Sequence, residues 1–177
     1  IISGFPAQPA TSIIKYPRKT QNLPFINLSL KEKGYESSFY YGGNLNFANI
    51  KSYFVNGNFD NVITGDNFSS RLKTSKWGVH DHIVFDKLYN DLNKAENPFL
   101  SIYFTLSSHD PFDVPMEDVF TGNTEDDKFK NSAYYTDQSL GDFVRKAKLQ
   151  PWWDNTLCIF VADHGSRLPG NIKFNSL

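Results

Sequence analysis

The chain has 177 residues, and its 18 basic and 19 acidic side chains leave a net charge of -1, which excludes a global field that would draw it onto nucleic acid or an anionic membrane surface. Any anion it handles must be held by a local site. An apolar share of 40% with 16% aromatics excludes a disordered chain, and the single cysteine, Cys158, excludes an internal disulfide and a cysteine-rich zinc site.

Residues 1–20, IISGFPAQPATSIIKYPRKT, mix prolines and small residues with short apolar pairs and predict neither a capped helix nor a strand. Pro24 suits a first helical turn, and Leu23, Phe25, Ile26, Leu28 and Leu30 predict a helix stopped by Gly34. YESSFYY, residues 35–41, predicts a strand closed by Gly42 and Gly43. Phe47, Ile50, Phe54 and Val55 recur at helical spacing over residues 46–57, and a loop is expected from 58 to 79. Asp81 suits the cap of a helix over residues 82–95, with Ile83, Val84, Leu88 and Leu92 on one face. PFLSIYFTL, residues 98–106, predicts a buried strand. A helix over 128–149 follows, its stripe formed by Ala133, Leu140, Phe143, Val144 and Ala147, and Pro151 ends it. The apolar run LCIFVA, residues 157–162, predicts the most buried strand, with Cys158 as a small buried hydrophobe.

Strand, helix, strand, helix, strand predicts an α/β fold: a mainly parallel sheet flanked by helices. Ligands of such sheets collect outside the carboxyl ends of the strands. Residues 40–44, 107–110 and 162–166 should therefore face one region. Inside a strand Asp163 and His164 would point opposite ways, but just past its end, with Gly165 freeing the backbone, both can turn toward one point. A carboxylate and an imidazole together suit a divalent transition metal, and His109 could reach the same cleft. The pair also reads as a turn whose acid caps a following helix, and HDPF as a turn that closes a strand. His80 and His82 read as a solvated loop at a helix start, the acids of TEDDKFKN as favouring the helix N-terminus that follows, and Trp152 and Trp153 as packing. No dinucleotide loop, phosphate-loop lysine or Gly-x-Ser-x-Gly elbow occurs.

Residues 134–165, YYTDQSLGDFVRKAKLQPWWDNTLCIFVADHG, carry Tyr135, Asp137, Gly141, then Asp154, Asn155 and Thr156, then Asp163, His164 and Gly165. This pattern resembles the segment by which sulfatases and their relatives in the alkaline phosphatase superfamily are recognised. FLSIYFTLSSHDPF and LKEKGYESSFYYGGNLNF are similar to segments of lipoteichoic acid synthases and related phosphoglycerol transferases, so the resemblance runs through residues 21–169.

The resemblance implies an alkaline phosphatase-like fold, of which residues 1–177 would be part of one catalytic domain. It implies that Asp163 and His164 hold one catalytic divalent metal, manganese or zinc, with calcium and magnesium as alternatives. His109 would contact the substrate's phosphate. Arg167 would clamp an anionic oxygen or make a surface ion pair. Tyr41 stands where the synthases carry a substrate-site histidine, and Ala48 and Ile50 where they carry tryptophan and arginine, so polyglycerol phosphate need not be the substrate. The threonine, serine or modified cysteine nucleophile and an acidic ligand are expected upstream of Ile1, because Thr11 and Ser12 stand too late in the pattern. The implied function is a metal-dependent hydrolase or transferase of small-molecule, lipid-linked or glycan-linked sulfate or phosphate esters. The implied location is the extracytoplasmic face of a bacterial membrane, which the protein would reach through regions outside this chain. This piece alone should bind metal weakly and not turn over. The alternative is a sulfatase-fold binding or scaffold protein that has lost the chemistry.

Overall fold

The computed structural model describes residues 1–6, 11–46 and 50–165, so Ala48 and Arg167 lie outside the described residues. Two short helices, α1 (Pro17–Thr20) and α2 (Ile26–Lys31), precede the sheet. Pro24 sits one residue ahead of the N-cap, Phe25, rather than within the first turn. Gly34 then takes a φ of +81°, a left-handed conformation that turns the chain sharply into β1 (Glu36–Tyr41). There follow α3 (Ile50–Gly57), β2 (Asn61–Ile63), α4 (Asp81–Leu92), β3 (Phe99–Phe104) and α5 (Glu125–Ala147).

The three strands form one parallel sheet in the order β2-β1-β3, with Phe39 opposite Val62 on one side and Ile102 on the other. Strand β2 falls within the expected loop. Its three residues are too few to show alternation, and it exists through pairing with β1 and through Asp60, which accepts from the Ser37 N–H at 2.9 Å and the Ser37 hydroxyl at 2.7 Å. Strand β3 is half-buried rather than fully buried.

Period-2 alternation along β1 divides the core between the two faces. Phe39 and Tyr41 pack with Phe25, Tyr53, Phe54 and Phe59, while Tyr40 on the opposite face packs with Val79, Val84, Phe85, Leu88 and Leu92. Helix α5 joins this second face through Phe143, 5.3 Å from Phe85 between ring centroids. It begins with a capping box in which Thr124 and Asp127 satisfy each other's backbone N–H, and Glu125, Asp126 and Asp127 fill its first turn, as the acids of TEDDKFKN predict. Trp152 does pack, its ring 5.9 Å from Phe99 and its indole N–H donating to Asn93 at 2.9 Å.

Residues 157–162 depart from expectation. Among the described residues they pair with no strand, and Leu157, Ile159, Phe160 and Val161 are 84%, 75%, 65% and 60% exposed. Cys158 is exposed too. Beyond the turn Trp153–Asn155, Phe160 shares a shallow cleft on α5 with Tyr134, Asp137, Gly141 and Val144. An unbroken apolar run encodes burial on both faces, but that burial needs neighbouring strands and layers, which the run cannot specify by itself.

Candidate active site

The carboxyl edge of the sheet is built on close backbone contact. The carbonyl of Gly42 accepts from the Val79 N–H at 2.9 Å, and the carbonyl of Gly43 accepts from the Gly65 N–H at 2.9 Å. This brings the turn at residues 75–78 beside the exit of β3, where the loop carrying His109 leaves the sheet. The Trp77 ring stands edge-on to His109 with centroids 4.8 Å apart, and its indole N–H donates to the Asp110 carbonyl. The Lys76 N–H donates to Asp113 at 2.9 Å. His109 is exposed, its own N–H donating to the Leu106 carbonyl at 3.1 Å.

His80 is not the solvated residue that its sequence context predicts: it is 4% exposed, and its Nδ1 is buried with no hydrogen-bond partner. Burial lowers its pKa, against a smaller opposing pull from Asp113. It stands in the N-cap position of α4 without capping it, while Asp81, predicted as the cap, is the first helical residue. The Asp81 carboxylate turns away from its own helix to the exit of β3. His82 is exposed, and its Nδ1 hydrogen-bonds the hydroxyl of Tyr135, whose pKa burial pushes up to about 12. Nothing in the spacing of His80, Asp81 and His82 marked these roles, since the partners lie more than twenty residues away in sequence.

Tyr41 ends β1 as expected, but its ring lies in the core, 6% exposed and stacked on Phe104 with centroids 5.6 Å apart. Burial raises the pKa of its hydroxyl. Asp163 and His164 do come together. The His164 N–H donates to Asp163 Oδ1 at 2.9 Å, and Nε2 lies 3.5 Å from Oδ2. Both are exposed. Among the described residues no hydrogen bond or ion pair joins them to His109, and no three His, Cys, Asp or Glu side chains are grouped to hold a metal. Residues 157–162, which lead into the pair, lie outside the sheet from which the His109 loop leaves.

The pair itself suits a cation. His164 Nδ1 is 2.9 Å from the Gly165 carbonyl, an acceptor only, which leaves Nε2, on the carboxylate side, as the ring nitrogen that a cation would meet.

Comparison with known proteins places the chain in a family. A family model described as Sulfatase matches residues 1–176. Lipoteichoic acid synthase 2 of Bacillus subtilis is 26% identical over 166 residues, which cover 89% of this chain and 25% of that protein. Phosphoglycerol transferase I of Citrobacter koseri is 23% identical over 146 residues, 76% of this chain and 19% of that protein. The chain thus spans about a quarter or less of the curated relatives it matches. Among solved structures, a protein in the alkaline phosphatase superfamily from Vibrio parahaemolyticus superposes with a TM-score of 0.76 at 32% identity, covering 87% of this chain and 38% of its own. The chain belongs to the sulfatase family, on the lipoteichoic acid synthase and phosphoglycerol transferase branch of the alkaline phosphatase superfamily.

Proposed function

We propose that the full-length protein containing this chain is a metal-dependent enzyme that transfers or hydrolyses a phosphate or sulfate ester, and that residues 1–177 are part of its catalytic domain. The synthase and phosphoglycerol transferase relatives favour a lipid-linked or glycan-linked phosphate ester over a sulfate, handled on the extracytoplasmic face of a bacterial membrane. Among the described residues no helix is long and apolar enough to cross a membrane.

The observation that carries the reading is the Asp163–His164 pair, whose ring nitrogen Nε2 lies 3.5 Å from the carboxylate, so that both donors stand at one point. These two residues would hold one divalent cation, manganese or zinc by their mixed oxygen and nitrogen donors, with calcium and magnesium as alternatives. When bound, such a cation neutralises charge on an ester oxygen and lowers the pKa of a hydroxyl nucleophile. His109, exposed at the exit of β3, would donate a proton or hydrogen bond to the ester oxygens, and Arg167 would clamp one of them. Two ligands are only part of a coordination shell, so the 177-residue piece should bind metal weakly and lack turnover.

The test compares the full-length protein with the piece, using nitrophenyl phosphate, nitrophenyl sulfate and a fluorescent phosphoglycerol lipid, with manganese or zinc supplied and then chelated. The expected result is turnover of a phosphate ester by the full-length protein, lost on chelation and in Asp163→Asn and His164→Ala, with none from the piece. Turnover by the piece would place the nucleophile within it. A metal-loaded full-length protein inactive on all three substrates would support the scaffold reading instead, which the buried Tyr41 and the apolar Ile50 favour.

A further inference from the structure

Four donors from two separate segments, the end of β3 with its exit and α5, converge on one fully buried carboxylate. Asp81 is 0% exposed; its Oδ1 accepts from the Tyr103 hydroxyl at 2.7 Å and the Leu106 N–H at 2.8 Å. Its Oδ2 accepts from the Thr136 hydroxyl at 3.0 Å and the Ser107 N–H at 3.1 Å, and its own N–H donates to the Ser107 hydroxyl oxygen at 3.2 Å. Burial and the neighbouring carboxylate together push the Tyr103 hydroxyl's pKa well up, so it remains a donor.

These bonds meet where backbone order is hardest to maintain. Strand β3 ends at Phe104, and Leu106 and Ser107 have left the ladder with N–H groups that need acceptors. Asp81 supplies both. The next link is direct, because the carbonyl of the same Leu106 accepts the His109 N–H at 3.1 Å. Ser108, between them, is 3.1 Å from the Thr136 hydroxyl, which itself donates to Asp81. The carboxylate therefore fixes the base of the loop from which His109 projects, and ties it to the start of α4 and to α5.

A role confined to stability fits less well. A carboxylate at a helix start would ordinarily serve its own helix. This one serves the exit of a strand two residues before the exposed imidazole.

We propose that Asp81 is a positioning residue for His109, setting through Leu106 and Ser107 where the imidazole meets the substrate's phosphate or sulfate oxygens. The inference rests on the function proposed above only in taking His109 as the substrate contact. Asp81→Asn retains size and one acceptor oxygen but turns an NH2 group toward the Ser107 N–H, which disturbs the loop base while leaving the packing in place.

The experiment is a double-mutant cycle in the full-length protein: wild type, Asp81→Asn, His109→Ala and the combination, read as kcat/KM on the ester it turns over. Asp81→Asn should lower kcat/KM by about 10- to 100-fold, yet by less than about twofold when His109 is already alanine. In parallel, histidine-labelled NMR should show the His109 ring resonances, assigned by their loss in His109→Ala, shifted in a folded Asp81→Asn. Losses that multiply fully, or unchanged His109 resonances in the folded variant, overturn the proposal. Should the protein act on no ester, the proposed function fails and the resonances alone decide the positioning claim. Should Asp81→Asn not fold, Thr136→Val, which removes one of the four donors, is read by the same two measurements.

Discussion

The Val79 N–H donates to the Gly42 carbonyl at 2.9 Å, and a Cβ added to Gly42 would come 2.3 Å from the Val79 carbonyl oxygen. The obstacle is main chain at the edge of the sheet, so no side-chain rotation relieves it. Gly42→Ala should cost about 2–4 kcal/mol by forced overpacking. Gly34→Ala, at a φ of +81° in open space, should cost only about 1 kcal/mol from conformation. Urea unfolding of both variants tests the ranking.

Phe39 is the centre of the aromatic face of the sheet, 1% exposed, with its ring 3.6 Å from that of Phe54 between centroids. Phe39→Ala should lose about 3–5 kcal/mol, and Phe39→Leu much less, since it retains most of the volume. Denaturant midpoints at constant slope would measure the difference.

Asp60 joins β2 to β1 and should make stability depend on pH. The Lys31 ammonium first, then the Ser37 hydroxyl and N–H, hold its carboxyl down from 3.8 to about 2. A depressed folded-state value means that the stabilisation is complete above the unfolded pKa, and is lost as pH falls through the folded one. Asp60→Asn should therefore be less stable than wild type by about 1 kcal/mol at neutral pH, solvent screening included, with the gap closing between about pH 4 and pH 2. Stability curves of the two proteins against pH check this.

Trp77 braces the His109 loop by ring contact and by its hydrogen bond to the Asp110 carbonyl. Trp77→Phe retains an aromatic ring and removes the indole donor. In the full-length enzyme it should lower kcat/KM by about 10-fold through misplacement of the loop. Steady-state kinetics beside a thermal melt separates that loss from unfolding.

The elements legible in the sequence were those whose order is local. Helical spacing in Val84, Leu88 and Leu92, the strand YESSFYY closed by Gly42 and Gly43, and the acids opening α5 each reflect order within a few residues, and each was found in place. Asp81 was legible as a helix-start residue but not as an acceptor for Leu106 and Ser107, because that role depends on where two distant segments meet. His80 looked solvated for the same reason: Tyr135, whose ring stands 6.1 Å from its own between centroids, and Asp113, whose charge it feels, both lie more than thirty residues away. Asp163 and His164 were read as a pair and stand as one, but their distance from His109 depends on how residues 157–162 run, and a continuous apolar run does not say which strand it will join.

That run also governs how the molecule behaves in a test tube. Among the described residues β3 pairs only with β1, so its outer margin presents unpaired main-chain donors and acceptors, while Leu157, Ile159, Phe160 and Val161 are exposed. An open margin and an exposed apolar run on the same molecule are suited to pair with one another between copies. Concentrated samples of the piece will tend to polymerise before they denature, and dilution or a mild detergent should reverse the early stages.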